Sequence, residues 1–220
     1  MKGLLIKDFQ LLKKQKMLVV ISVFISLVFL YSNTSSILFI AGYITIMFSF
    51  ASVSTIPFDQ HSNGMSFLLT LPVSRSSYAK EKYLLMLFTM AGSLAVSFVL
   101  LLAGVCTGRV PFDPDLLLGG LLSSALCSAL VHAFMIPLQL KFEAEKSRIA
   151  IIVVIGFAYA VIFGVTALAR HFHVDVSALL ESLVSRTDTA VLILFLCAAV
   201  AGILGLSLLV SLHVVKKKEY

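Results

Sequence analysis

The stretch YLLMLFTMAGSLAVSFVLLLAGVCT, Tyr83 to Thr107, runs for 25 residues without one charged side chain. A helix needs roughly 20 mostly apolar residues to cross a hydrocarbon core about 30 Å thick, so this segment alone is long enough to span a bilayer. The pattern repeats on both sides of it. Apolar runs at Met17–Tyr31, Ile37–Ile56, Leu116–Pro137, Ile149–Ala169 and Thr189–Val215 bring the expected total to about six spans. The chain has 220 residues, 60% hydrophobic and 13% charged, with a mean hydropathy of +1.05. That leaves no length for a separate soluble domain, so the expected fold is all-α, a single polytopic transmembrane domain over residues 1–220.

The first apolar run begins only at Met17, behind a charged helical segment, and is read as a retained span rather than a cleaved signal. Cys106, Cys127 and Cys197 lie inside apolar runs with no paired spacing, so they are read as small apolar fillers. Basic residues fall on alternate connections. The N-terminal segment, the 57–82 loop, the 139–148 loop and the C-terminal tail hold 5, 3, 3 and 3 lysines or arginines, 14 of the 17 in the chain. The other side has only Arg109, Arg170 and Arg186. By the positive-inside rule both termini are expected in the cytoplasm. The net charge of +6 is thereby a topology signal, and a nucleic-acid reading lacks the folded basic face it would need.

From Lys2 to Lys16, Leu4, Leu5, Phe9 and Leu12 recur at helical spacing among five lysines, which predicts an interfacial helix with its apolar face in the acyl boundary. In the 57–82 loop, Ser62 or Asn63 can cap a short helix over Gly64 to Thr70. Pro72 ends it, and Ser74 to Ser77 offer hydroxyls to start the next helix. The short helix is apolar yet cytoplasmic. Its residues either lie on the membrane surface or fill a groove on a partner protein. The second loop, Lys141 to Arg148, mixes both charge signs. On the outer side Asp175 can cap an amphipathic helix with Val176, Leu179, Leu180, Leu183 and Val184 on one face.

No glycine is followed by lysine, which excludes a phosphate loop. His171, His173 and Asp175 are too few to argue a metal site, and His132 is the one clear ionisable residue inside a span, expected to bond a neighbouring helix. Small residues at Gly119, Gly120, Ser123, Ser124 and Ser128, and at Ala198, Ala201, Gly202 and Gly205, predict close helix approach, first of all within one subunit.

The opening Met1-Lys2-Gly3-Leu4-Leu5-Ile6-Lys7-Asp8-Phe9, then Leu71-Pro72-Val73-Ser74-Arg75 with Tyr78 and Lys82-Tyr83, then Lys141-Phe142 with Glu145-Lys146 and Arg148, resemble an ABC exporter permease. The likeness extends over nearly the whole chain and is greatest to compact six-helix permeases of bacterial antimicrobial-peptide and phenol-soluble modulin exporters. Glu143 departs from it, standing where such permeases often carry glycine. The resemblance implies a multi-pass subunit of a bacterial cell membrane that pairs with a second permease, identical or not, and with two ATP-binding subunits. ATP and Mg²⁺ would then be held by those partners, and this chain would carry no cofactor and no catalytic residue. It also implies that the first helix is an elbow and the short loop helix a coupling helix. Gly64, Met65, Phe67, Leu68, Leu69, Leu71, Pro72 and Arg75 would contact the ATPase, with Phe142, Glu145, Lys146 and Arg148 in the second loop. The alternative expectation is a non-transporting immunity or regulatory membrane protein.

Overall fold

The computed structural model describes residues 2–32, 37–60, 64, 74–142, 146, 149, 152, 156, 163–164, 167 and 189–217. Among them every regular element is a helix: α1 (Lys2–Lys14), α2 (Lys16–Tyr31), α3 (Ile37–Val53), α4 (Thr55–Gln60), α5 (Arg75–Cys106), α6 (Pro114–Lys141) and α7 (Thr189–Lys217). Most of the 61–73 loop, most of the fifth expected span at 149–169 and the outer segment 170–188 lie outside the described residues. Four stretches are long and apolar enough to cross a membrane, Phe39–Gln60, Arg75–Cys106, Pro114–Lys141 and Ile193–Lys217, and α1 with α2 makes a fifth if that bent pair is one span. The all-α polytopic expectation is therefore met.

Three interruptions have local causes. α1 and α2 meet at 56°, and Gln15 at the corner holds Ser54 from both ends of its amide, donating at 2.8 Å and accepting at 3.2 Å. The break between α3 and α4 falls where Pro57 has no N–H to give the Val53 carbonyl. Pro137, expected to end its span, instead lies inside α6, which continues to Lys141. The carbonyl it leaves without an N–H is that of Ala133, four residues back, and the Ser207 hydroxyl donates to it at 2.5 Å. Ser207 is itself held by the Tyr83 hydroxyl at 2.6 Å. In lipid no water stands in for a missing partner, so this bond keeps α6 helical and seats α7 against it. Ser207→Ala should cost about 1–2 kcal/mol, read as an earlier thermal unfolding in detergent, with Ser207→Thr close to wild type.

α3 packs among α2, α5 and α6, and α7 rests on α5 and α6. α3 is the most enclosed of the spans and α7 the least. Of the predicted small-residue stripes, the one on α6 is used: Gly120, Ser124 and Ser128 are buried, and Ser128 shares a 2.6 Å hydrogen bond with Ser49 of α3. The stripe on α7 is not used among the described residues. Ala198, Ala201, Gly202 and Gly205 are exposed, and a Cβ at either glycine would meet nothing within 4 Å. His132 also differs from expectation. Its Nδ1 bonds the Ser128 carbonyl of its own helix at 2.8 Å.

α1 departs from a purely lipid-facing helix. Leu4 and Asp8, one turn apart, are buried against the bundle, while Ile6 and Phe9 face outward. Phe9 meets Phe88 of α5 edge-on at 5.9 Å. An aspartate on the inward face needs a cation to receive it.

Candidate functional site

That cation is Lys82, and the groups around it form a buried ion cluster where α1, α4 and α5 meet. The helical repeat supplies the arrangement: Leu4 and Asp8 on α1, Thr55 and Asp59 on α4, and Tyr78 and Lys82 on α5 are each four residues apart and so share a face. Lys82 is 2% exposed. Its ammonium has three N–H donors and meets three acceptors: Asp8 Oδ2, Asp59 Oδ2 at 3.0 Å and Thr55 Oγ1 at 3.1 Å. Asp59 is shared further, accepting from Lys7 Nζ at 2.5 Å and from the Tyr78 hydroxyl at 3.0 Å. Lys7 also lies 3.1 Å from the second oxygen of Asp8. The Lys82 ammonium sits 5.0 Å over the Tyr78 ring. Burying a lysine this deeply is tolerable only because every donor is met and opposite charge surrounds it.

Glu81 is the odd member. It is 1% exposed, its nearest oxygen is 3.7 Å from Lys82 Nζ, and neither of its oxygens has a hydrogen-bond partner among the described residues. Asp8, Asp59 and Glu81 thus face Lys7 and Lys82, three carboxyl groups against two ammoniums. Among the described residues no group of three or more His, Cys, Asp or Glu could hold a metal. What such an arrangement does well is join three helices rigidly.

Its position ties it to the loop singled out from sequence. Asp59 closes the helix before that loop and Lys82 lies in the helix after it. A Cβ at Gly64, the first residue of the expected coupling helix, would stand 2.7 Å from the Asp59 carbonyl oxygen. Only glycine permits that approach to a backbone atom. Gln60 donates to the Gln139 carbonyl at 2.8 Å, which brings the root of the second loop beside the root of the first. Ser74 caps α5, accepting from the Ser77 N–H at 3.1 Å, as the serine run predicts. Arg75 donates to the Lys216 carbonyl at 3.4 Å, so the start of α5 meets the end of α7. Phe142 ends α6 beneath the Lys141 ammonium, 5.4 Å from its ring, and Lys146 is exposed. Met65, Phe67, Leu68, Leu69, Leu71, Pro72, Glu145 and Arg148 lie outside the described residues, as do His171, His173 and Asp175.

The sequence places none of Asp8, Asp59, Tyr78, Glu81 and Lys82 in a site, although Asp8, Tyr78 and Lys82 are among the residues that carry the family resemblance. The available signal was Asp8 one turn from Leu4, on what was read as the apolar face, and a Glu-Lys pair directly at the edge of a charge-free run.

Residues 3–216 match the family model described as ABC-2 family transporter protein. Comparison with curated proteins and with solved structures gives no match. The family model covers nearly the whole chain, from α1 to the last turn of α7. With apolar helices long enough to cross a membrane several times, the chain belongs to the ABC-2 transporter family, as a multi-pass permease subunit of the kind that works with ATP-binding subunits.

Proposed function

We propose that this chain is the permease of an ABC exporter that moves amphipathic or antimicrobial-type peptides, or similarly lipophilic molecules, out of a bacterial cell. The observation that carries the reading is the family match over residues 3–216. Several features support its finer points. Charge placement favours cytoplasmic termini, which sets α1, the roots of both loops and the ion cluster on the side where ATP is. Inside the described spans the buried polar groups are mostly serine and threonine hydroxyls, with His132 the one ionisable side chain buried at mid-helix. Such an interior suits lipophilic cargo better than an ion relay.

In this reading two separate ATP-binding subunits hold ATP and Mg²⁺, and a second permease, identical or related, completes the pathway. The 64–71 segment is the coupling helix: Met65, Phe67, Leu68, Leu69 and Leu71 enter a groove of the ATPase, Gly64 lets the helix start tight against α4, and Pro72 ends it. Arg75, Phe142, Glu145, Lys146 and Arg148 rim that contact.

The test is co-expression with a candidate ATP-binding subunit. Replacing Met65, Phe67 and Leu68 together by aspartate should abolish copurification of the ATPase and substrate-stimulated ATP hydrolysis. Intact complex and intact stimulation would refute the coupling assignment. A wild-type chain that binds no ATPase at all would favour the immunity or regulatory reading instead.

A further inference from the structure

Two of the helices in the cluster, α4 before the loop and α1, are each set off by a joint from the spans they continue. α4 is six residues long and follows a break at Ser54, and α1 turns away from α2 by 56° at Gln15. Motion imposed on the loop could be absorbed at either joint. α5 differs, running unbroken for 32 residues from the lysine-rich end of the bundle to the far end, about 48 Å at 1.5 Å per residue. Among the described residues Lys82 is the one side chain of α5 that forms ion pairs with both of these helices, to Asp8 on α1 and Asp59 on α4. Contact is continuous from the loop inward: Gly64 abuts the Asp59 backbone, the Asp59 carboxylate binds Lys82, Lys7 and Tyr78, and Lys82 binds Asp8.

From these contacts we infer that Lys82 is a positioning residue for transport, clamping α1 and α4 to α5 so that displacement of the loop helix turns all three as one body. The inference rests on the exporter reading above. It adds that the drive reaches the far end of the bundle through α5, and that the hinges at Gln15 and Ser54 become slack joints once the ions are removed. Rigid-body transmission of this kind requires a stiff junction, and a fully hydrogen-bonded ammonium between two carboxylates is one.

The experiment uses the complex with its ATPase in liposomes and a dye-labelled amphipathic helical peptide as cargo, and it reads peptide moved per ATP hydrolysed. In the triple variant Asp8→Asn, Asp59→Asn, Lys82→Met both carboxylates that hydrogen-bond Lys82 are neutralised together with it, and only Glu81, which lies 3.7 Å from that ammonium, keeps a buried carboxyl, so the fold and the ATPase contact should survive better than in Lys82→Met. Peptide moved per ATP should fall about tenfold, in the range usual for coupling between distant sites. Asp59→Asn alone keeps the Lys82–Asp8 pair and loses only the charged tie to α4, so it decides the matter if the triple variant does not fold. Its ratio should fall about threefold, with partial recovery in Asp59→Glu. A merely structural cluster would shift the unfolding temperature and leave the ratio at the wild-type value in whichever variant folds, and that result overturns the inference alone. Failure of the wild type to bind the ATPase or to move the peptide overturns the exporter reading and this one together.

Discussion

Lys82→Met should destabilise the protein by about 3–5 kcal/mol, the usual cost of removing one partner from a buried ion pair. Methionine fills nearly the volume of the lysine stem, so little packing is lost. What remains is electrostatic: Asp8, Asp59 and Glu81, all buried, face the half-exposed Lys7 alone. Two carboxylates lose a hydrogen bond from the same ammonium, and Thr55 loses a donor. The decisive comparison is with the triple variant, which removes the carboxylate charges at that node with the lysine. If unpaired charge is the cause, the triple variant melts several degrees above Lys82→Met although it carries more substitutions. If both melt with the wild type, water reaches the cluster and it contributes no stability. Lys7→Met should do far less, because an exposed ammonium contributes little to a pair that solvent already screens.

The sequence shows the spans plainly because lipid imposes one demand on a whole segment, an uninterrupted apolar length, which local composition reports directly. Tyr83 to Thr107 lies within α5 and its C-cap, and Ser74 caps that helix as its serines suggest. Helix ends were less legible. The second and fourth apolar runs end at Ile56 and Pro137, yet α4 and α6 continue past both. For Pro137 the rescue comes from Ser207, 74 positions from the Ala133 carbonyl it serves, and no local window contains both. The ion cluster was hidden for a related reason. Counting lysines for topology treats each one as lying at the headgroups, and neither that count nor the resemblance carried by Lys82-Tyr83 says that Lys82 is buried. Its burial depends on Asp8 and Asp59, 74 and 23 positions away. The stripes of small residues show the same limit: Ser128 finds Ser49 across an interface, whereas Gly202 and Gly205 face outward, and the spacing is the same in both.

At the far end of the bundle, Gly104→Leu should cost about 3 kcal/mol or more, the upper part of the range for overpacking a closed core. A Cβ at Gly104 would already stand 2.7 Å from Leu30 Cδ1 and 2.8 Å from Val110 Cγ2. Neither neighbour has room to retreat, since Leu30 is 2% exposed and Val110 3%. Val110 is also fixed by its backbone, donating to the Gly104 carbonyl at 3.2 Å through the turn in which Gly108 takes φ +70. The remaining way to relieve the clash is to move Leu30, and with it α2. That helix presents Ser22, Ser26 and Leu30 inward, and the two serines bond only carbonyls of α2 itself. Its attachment is concentrated at its two ends: Leu27, Leu30, the Phe29–Phe39 ring contact at 4.5 Å and Tyr31 under Arg109 at one, with Leu30 the most buried of them, and the Gln15–Ser54 pair at the other. Gly104→Leu should thus loosen α2 before the α3, α5 and α6 core yields. With the exposed Cys106, Cys127 and Cys197 replaced by alanine, a cysteine placed at Ser26 reports this: with Gly104 intact it is shielded, and in the Gly104→Leu background it should react with a thiol reagent well below the temperature of global unfolding. Gly104→Ala, which adds one methyl in the same place, should show the same order of events with a smaller shift. If Ser26→Cys becomes reactive only when the whole bundle melts, α2 is held by more than its two ends.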